Sequence, residues 1–215
     1  DLQLGVVYVI AVTTLASLPV LLAGYASNNK YSLVGGMRVV NQAISYEVPQ
    51  AFAILSVIMV AGTFNLTEIV HFQQQHLWLV CVQPLAFVIY IISAVAECNR
   101  APFDLPEGES ELTAGVFTEY SGMRYALFYL AEYCNMFVAA GLATTLFLGG
   151  FSGPFLPGWL WFILKTFVIM SIFIWVRWTL PRVRADYVLR FCWKLLVPLT
   201  LLNMLVTGVV LYILA

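Results

Sequence analysis

The chain has 215 residues, 62% of them hydrophobic and only 10% charged, with a mean hydropathy of +0.91 and a net charge of −1. A soluble domain carries about 25% charged residues, so the composition excludes a water-soluble globular protein, and no run of Lys or Arg suits nucleic acid. Apolar runs of about 20 residues, without the alternation of barrel strands, define an all-α polytopic membrane protein.

Six apolar segments predict six transmembrane helices in a single domain, 1–215. The first runs from about Leu2 to Tyr25. The second, about Leu33 to Gly62, is longer than a straight span requires, so it is expected to tilt, kink or protrude. The third covers about Leu77 to Ala96 and the fourth about Met123 to Leu148. The fifth covers about Trp159 to Trp178, and the last about Val188 to Leu214. No repeat, linker or low-complexity tract interrupts the series. The chain starts at Asp1 without a signal-peptide pattern, which suggests one part of a longer polypeptide.

Basic residues fix the expected topology. Lys30 and Arg38 flank the first connection, and Arg100 and Arg124 the third. Arg177, Arg182, Arg184, Arg190 and Lys194 belong to the fifth. Nine of the 10 Lys and Arg residues thus fall at odd-numbered connections. The positive-inside rule puts both chain ends outside and the third connection on the cytoplasmic (or matrix) side. Trp78, Trp159 and Trp161 at outer ends, with Trp178 and Trp193 near inner ends, form the aromatic belt.

Charges within or against the apolar spans are functional candidates, because an unpaired charge in lipid costs several kcal/mol. Glu47 lies well inside the second helix. Pro49 follows it and cannot donate to the Ser45 carbonyl, so a kink and a freed carbonyl are expected beside the acid. Arg38, nine residues earlier, falls about 180° round the helix from Glu47. Glu97 ends the third helix. Glu132 shares a helical face with Tyr125, Tyr129 and Met136, and the tyrosine hydroxyls are expected to link it to the third connection. Lys165 lies in the outer half of the fifth helix. A series of such groups reads as a proton path: Glu47, Glu97, Glu132, Tyr125, Tyr129 and Lys165.

The stretch from Glu97 to Arg124 is the most polar in the chain, a large acidic loop. It holds six of the 11 acids: Glu97, Asp104, Glu107, Glu109, Glu111 and Glu119. Asp104 and Glu107 around Pro106 read as a capping box opening a short helix that Gly115 would end. Phe103 and Phe117 are expected to offer apolar surface to a ligand or partner. The loop as a whole is expected to order only against partner subunits. The four cysteines are scattered, and His71 and His76 have no ligand pattern around them. No metal site is expected.

The residues from Glu97 to Glu107 (Glu-Cys-Asn-Arg-Ala-Pro-Phe-Asp-Leu-Pro-Glu), with Glu119 to Met123 and Ala131 to Tyr133, resemble the H-type membrane subunit of NADH:quinone oxidoreductase, respiratory complex I. Ser27 to Leu33, Met37-Arg38, Ser45 to Glu47 and Leu180 to Asp186 extend the likeness over essentially the whole chain. The resemblance implies a subunit that forms the membrane end of a quinone chamber and couples quinone reduction to proton translocation. It implies quinone as substrate, with FMN and iron–sulfur clusters on partner subunits. The implied partners are peripheral quinone-site subunits, membrane-arm subunits and lipid. The implied location is a bacterial plasma membrane, or the mitochondrial inner membrane in a eukaryote. It assigns Arg38, Arg100, Phe103, Asp104, Glu107, Glu109, Glu111 and Glu119 to the chamber loop, and Glu47, Glu97 and Glu132 to the acidic path. That family has eight spanning helices, so the first two and the loop after them are expected to be missing here. Two other readings compete: the membrane subunit of an energy-converting hydrogenase, and a free-standing ion transporter. The transporter predicts inverted repeats, which the sequence lacks.

Overall fold

The computed structural model describes residues 2–105, 115–155 and 157–214. Among them there is no strand, and five helices are long and apolar enough to cross a membrane, with a shorter sixth apolar helix. The helices are α1 (Gly5–Leu15), α2 (Ser17–Ala26), α3 (Lys30–Ala61), α4 (Leu66–Gln75), α5 (Leu79–Val82), α6 (Pro84–Glu97), α7 (Met123–Phe147), α8 (Gly158–Thr179), α9 (Ala185–Phe191) and α10 (Val197–Leu214). All six predicted spans are present, but three of them are interrupted. The first is α1 followed by α2, the third is α5 followed by α6, and the last runs α9, a π turn (Cys192–Leu196), then α10.

Each interruption precedes or adjoins a proline. Pro19 sits in the first turn of α2, Pro84 opens α6, and Pro198 follows the π turn. A proline lacks the N–H that would return to the carbonyl four residues back, and its ring crowds that carbonyl. The break in the third span is tied to the last span by side chains. Gln83, between α5 and α6, donates to Thr207 Oγ1 (2.7 Å) and accepts from Asn203 Nδ2 (2.9 Å), both on α10.

The long helix α3 is the hub. Its 32 residues extend about 48 Å at 1.5 Å each. Its N-cap Asn29 accepts from Tyr31 N. Buried positions recur at Ser32, Gly35/Gly36, Val39, Gln42, Ser45/Tyr46, Pro49/Gln50, Ala53/Ile54 and Ser56/Val57, a stripe at helical spacing. Small residues let neighbours approach closely, as membrane helices require. A Cβ at Gly24 of α2 would lie 2.7 Å from Ser32 O. Pro49 leaves α3 continuous, and its unpaired partner is met from elsewhere. The Ser45 carbonyl, expected to be freed, accepts from Cys192 Sγ at 2.8 Å. Trp193 Nε1 donates to Ser45 Oγ (3.2 Å), and Tyr46 OH to Val188 O (3.2 Å). The proline site of α3 and the π turn therefore lock together.

The odd-numbered connections gather at one end of the bundle. Asn29 donates to Glu119, Ser32 to Val116 O, and Val183 N to Pro102 O. The even-numbered ones gather at the other. There the amphipathic α4, a helix inside the connection read as a loop, lies against the end of α7. Gln73 donates to Thr145 O and Leu146 O and accepts from Leu79 N.

Candidate functional site

The site is built where the α1–α2 interruption, the middle of α3, the end of α6 and the first half of α7 meet. They enclose a cavity of about 470 Å³. Val20, Val39, Leu127 and Phe128 contribute apolar wall. Glu47 from α3, Glu97 from α6 and Glu132 from α7 all line it. Three acids spread over 86 positions of sequence thus share one enclosure, and each is half-buried.

Each acid is held differently. Glu97 accepts from Gln50 Nε2 at 2.7 Å. Glu132 forms an ion pair with Arg100, Nη2 to Oε2 at 3.2 Å. Arg100 itself is buried, its guanidinium 4.3 Å from the Tyr133 ring centre and 5.5 Å from that of Tyr129. The Gln42 amide donates to Ala96 O at 2.6 Å, fixing the end of α6 against α3. The chain then turns at Asn99, whose φ is +51°. Cys98 also faces the cavity, and burial pushes its thiol well above the ordinary range, so it stays a protonated, unreactive group.

The two tyrosines pack on the loop residue Phe117. Tyr125 OH donates to Tyr129 OH at 2.9 Å. Neither lines the cavity, and Arg100 is a loop group that reaches Glu132. Arg38 is half-buried on α3 outside the lining, and Asp104 is half-buried in the loop. Glu119 is exposed and held by Asn29. Glu107, Glu109 and Glu111, with the expected capping box, lie outside the described residues.

Phe103 and Phe117 are largely covered within this chain, 9% and 4% exposed, and Phe117 is also part of the cavity wall. Phe103 packs on Tyr46 of α3 (ring centres 5.2 Å apart), and Phe117 packs on Phe128 of α7 (5.3 Å). The described flanks of the loop pack into this chain's own core, with Leu105 and Val116 also buried.

Lys165 does not reach this cavity. Its ammonium is at the opposite end, 2.6 Å from Leu148 O, 3.2 Å from Gly150 O and 2.7 Å from Ser152 O. The rings of Trp78 and Trp161 flank it at 4.8 and 5.9 Å. Among the described residues no cluster of His, Cys, Asp and Glu could hold a metal. Gln42, Gln50 and Thr13 of the cavity region were missed from sequence. Uncharged polar residues in a span carry a weak signal, although Gln50 is one helical turn from Glu47 and shares its side of α3.

The family model described as NADH dehydrogenase matches residues 1–208. The chain belongs to the NADH dehydrogenase family. It is 50% identical over 217 residues to the H-type subunit of NADH-quinone oxidoreductase from Carboxydothermus hydrogenoformans, covering 99% of this chain and 62% of that one. The H-type subunits of the same enzyme from Protochlamydia amoebophila and Geobacillus kaustophilus are each 51% identical. Those matches cover 97% and 98% of this chain and 64% of each relative. The chain therefore spans a little under two thirds of the length of the curated relatives it matches.

Proposed function

We propose that this chain is the greater part of the membrane subunit of a proton-pumping NADH:quinone oxidoreductase. In this reading it forms the membrane end of the quinone chamber and carries the acidic path that couples quinone reduction to proton translocation. The observation that carries the reading is the meeting of Glu47, Glu97 and Glu132 on one cavity with apolar walls, in a chain of this family. Apolar lining suits an isoprenoid-type tail or its headgroup edge. Reduction of a quinone draws protons or leaves negative charge, and acids within a few ångströms respond by changing protonation. Arg100 links the chamber loop to Glu132 directly, so a change of charge at the loop acts on the acid through an ion pair.

The loop residues Arg38, Arg100, Phe103, Asp104, Glu107, Glu109, Glu111 and Glu119 flank the chamber in this proposal. The path runs through Glu97, Glu47 and Glu132, and Lys165 stands outside it. Quinone is the substrate, while FMN and the iron–sulfur clusters reside on peripheral partner subunits. The end that gathers Lys30, Arg100 and Arg182 faces the cytoplasm of a bacterium, or the matrix in a mitochondrion.

The test is made in the assembled complex. Glu47→Gln is expected to lose NADH:quinone turnover and proton pumping together, while NADH-to-ferricyanide activity is retained. Normal quinone reduction and pumping in Glu47→Gln, Glu132→Gln and the double variant would sink the proposal. Copurification with NADH dehydrogenase subunits is the accompanying expectation; hydrogenase subunits, or the chain alone, would contradict it.

A further inference from the structure

Arg100 is a buried cation with few acceptors. It is 7% exposed and forms its ion pair with Glu132 at 3.2 Å, Nη2 to Oε2. That approach lacks hydrogen-bond alignment, and among the described residues Nε meets no acceptor. A guanidinium carries five N–H donors and cannot shed its charge. Two aromatic rings stand beside it. The ring centre of Tyr133 lies 4.3 Å from the guanidinium carbon and that of Tyr129 5.5 Å, both within reach of a cation–π contact. The seat follows from the helix. Tyr129, Glu132 and Tyr133 stand at i, i+3 and i+4 on α7 and form one patch of its surface. Tyr133 is in turn tied to α8, where Arg177 Nη1 donates to its hydroxyl at 3.4 Å.

The two kinds of partner differ in what a proton does to them. Protonation of Glu132 removes the counter-charge, and a buried cation left without one is strongly destabilised. The attraction of a ring face for the cation does not depend on that proton. We propose that Tyr133, together with Tyr129, is a positioning residue whose ring keeps Arg100 seated at Glu132 through both charge states of the acid. Arg177 holds the ring by its hydroxyl. Without the seat, the guanidinium would turn toward water each time Glu132 gained a proton, and the ion pair would have to be rebuilt. With it, the acid is neutralised and recharged against a stationary cation. The proton goes to and from the Glu132 carboxylate, with no other bond made or broken. The inference rests on the reading of Glu132 as an acid of the path. Besides Arg100, the titratable and charged groups that share the cavity with Glu132 are Glu47 on α3, Glu97 and Cys98 at the end of α6, and Arg124 on α7. A change confined to the Tyr133 ring leaves all of them in place.

The experiment replaces Tyr133, in the assembled complex, by phenylalanine and by phenylalanines bearing one, two and three ring fluorines. Fluorine drains the negative face of the ring while nearly keeping its size. A contact of shape alone is then unmoved, and a cation–π contact weakens step by step. NADH:quinone turnover is measured per assembled complex, counted by NADH-to-ferricyanide activity. It is expected to fall at each step, by about three- to tenfold across the series. KM for the quinone is expected to stay constant. The same series at Tyr125, whose ring packs on Phe117 and Tyr129, is expected to be flat. A flat series at Tyr133, a loss confined to KM, or an equal slope at Tyr125 would overturn the inference. Normal turnover in Glu132→Gln would remove the functional reading itself, whereas an impaired Glu132→Gln beside a flat Tyr133 series sinks the seat alone.

Discussion

Replacing Lys165 by Met tests the role its surroundings assign it. The ammonium donates to the carbonyls of Leu148 and Ser152 at 2.6 and 2.7 Å, with a longer third bond to Gly150 O. Methionine keeps much of the volume and removes every donor. A hydrogen bond to a charged group contributes roughly 1.5–3 kcal/mol net, so the two short bonds set the scale. The faces of Trp78 and Trp161 add about 0.5–1 kcal/mol. Phe151 and Phe155 beside the turn are exposed, so water replaces part of what is lost. The expected net loss is about 3 kcal/mol, roughly a hundredfold in the folded-to-unfolded ratio. The assay is equilibrium unfolding of the purified protein in mixed detergent micelles, followed by tryptophan fluorescence, since two of the indoles flank the ammonium. Lys165→Arg should fall between the two, because a planar fork cannot serve three carbonyls arranged as a tripod. Proton pumping by the variant complex should persist in proportion to the folded protein. Unchanged stability with pumping lost would refute the reasoning and place Lys165 in the proton route.

Three further outcomes are expected. Gly24→Leu should separate α2 from α3, since a Cβ there already meets Ser32 O at 2.7 Å; the check is a loss of assembled protein on native gels, with Ala intermediate. Cys192→Ser should keep the donor to Ser45 O, whereas Cys192→Ala should cost about 1 kcal/mol in the same unfolding assay. With the exposed Cys81 and Cys134 replaced, cysteines at Gln74 and Gly153 should react with an impermeant maleimide from outside sealed cells, and one at Ser121 should not. Labelling of Ser121→Cys from outside would invert the topology.

The six spans were legible because hydropathy is a summed quantity, and 20 apolar residues leave little room for error. Their interruptions were legible too, in Pro19, Pro84 and Pro198, had each proline been read as Pro49 was. Pro49 shows why such reading is incomplete. It alone lies mid-helix without breaking it, and the donor that answers its missing bond is Cys192, 143 positions away. Helix α4 was hidden because only Ile69 and Val70 of its apolar residues are fully buried, with Gln73 buried beside them. At the site, Glu47, Glu97 and Glu132 stood out as acids in apolar helices. Arg100 as the partner of Glu132 did not, since a loop arginine reads as a surface charge until the fold buries it. Thr13 and Gln50 gave no charge to notice.

The acids also divide the bundle by depth. From Glu47 to the outer end of α3 there are 14 residues, about 21 Å, and none of them titrates. The outer part of α7, from Met136 to Phe147, is equally free of acids and bases, and α6 offers only Tyr90 before Glu97. The three helices that bring the acids together therefore insulate them from the far surface. Along these three helices no further carboxylate or basic side chain stands between the acids and that surface.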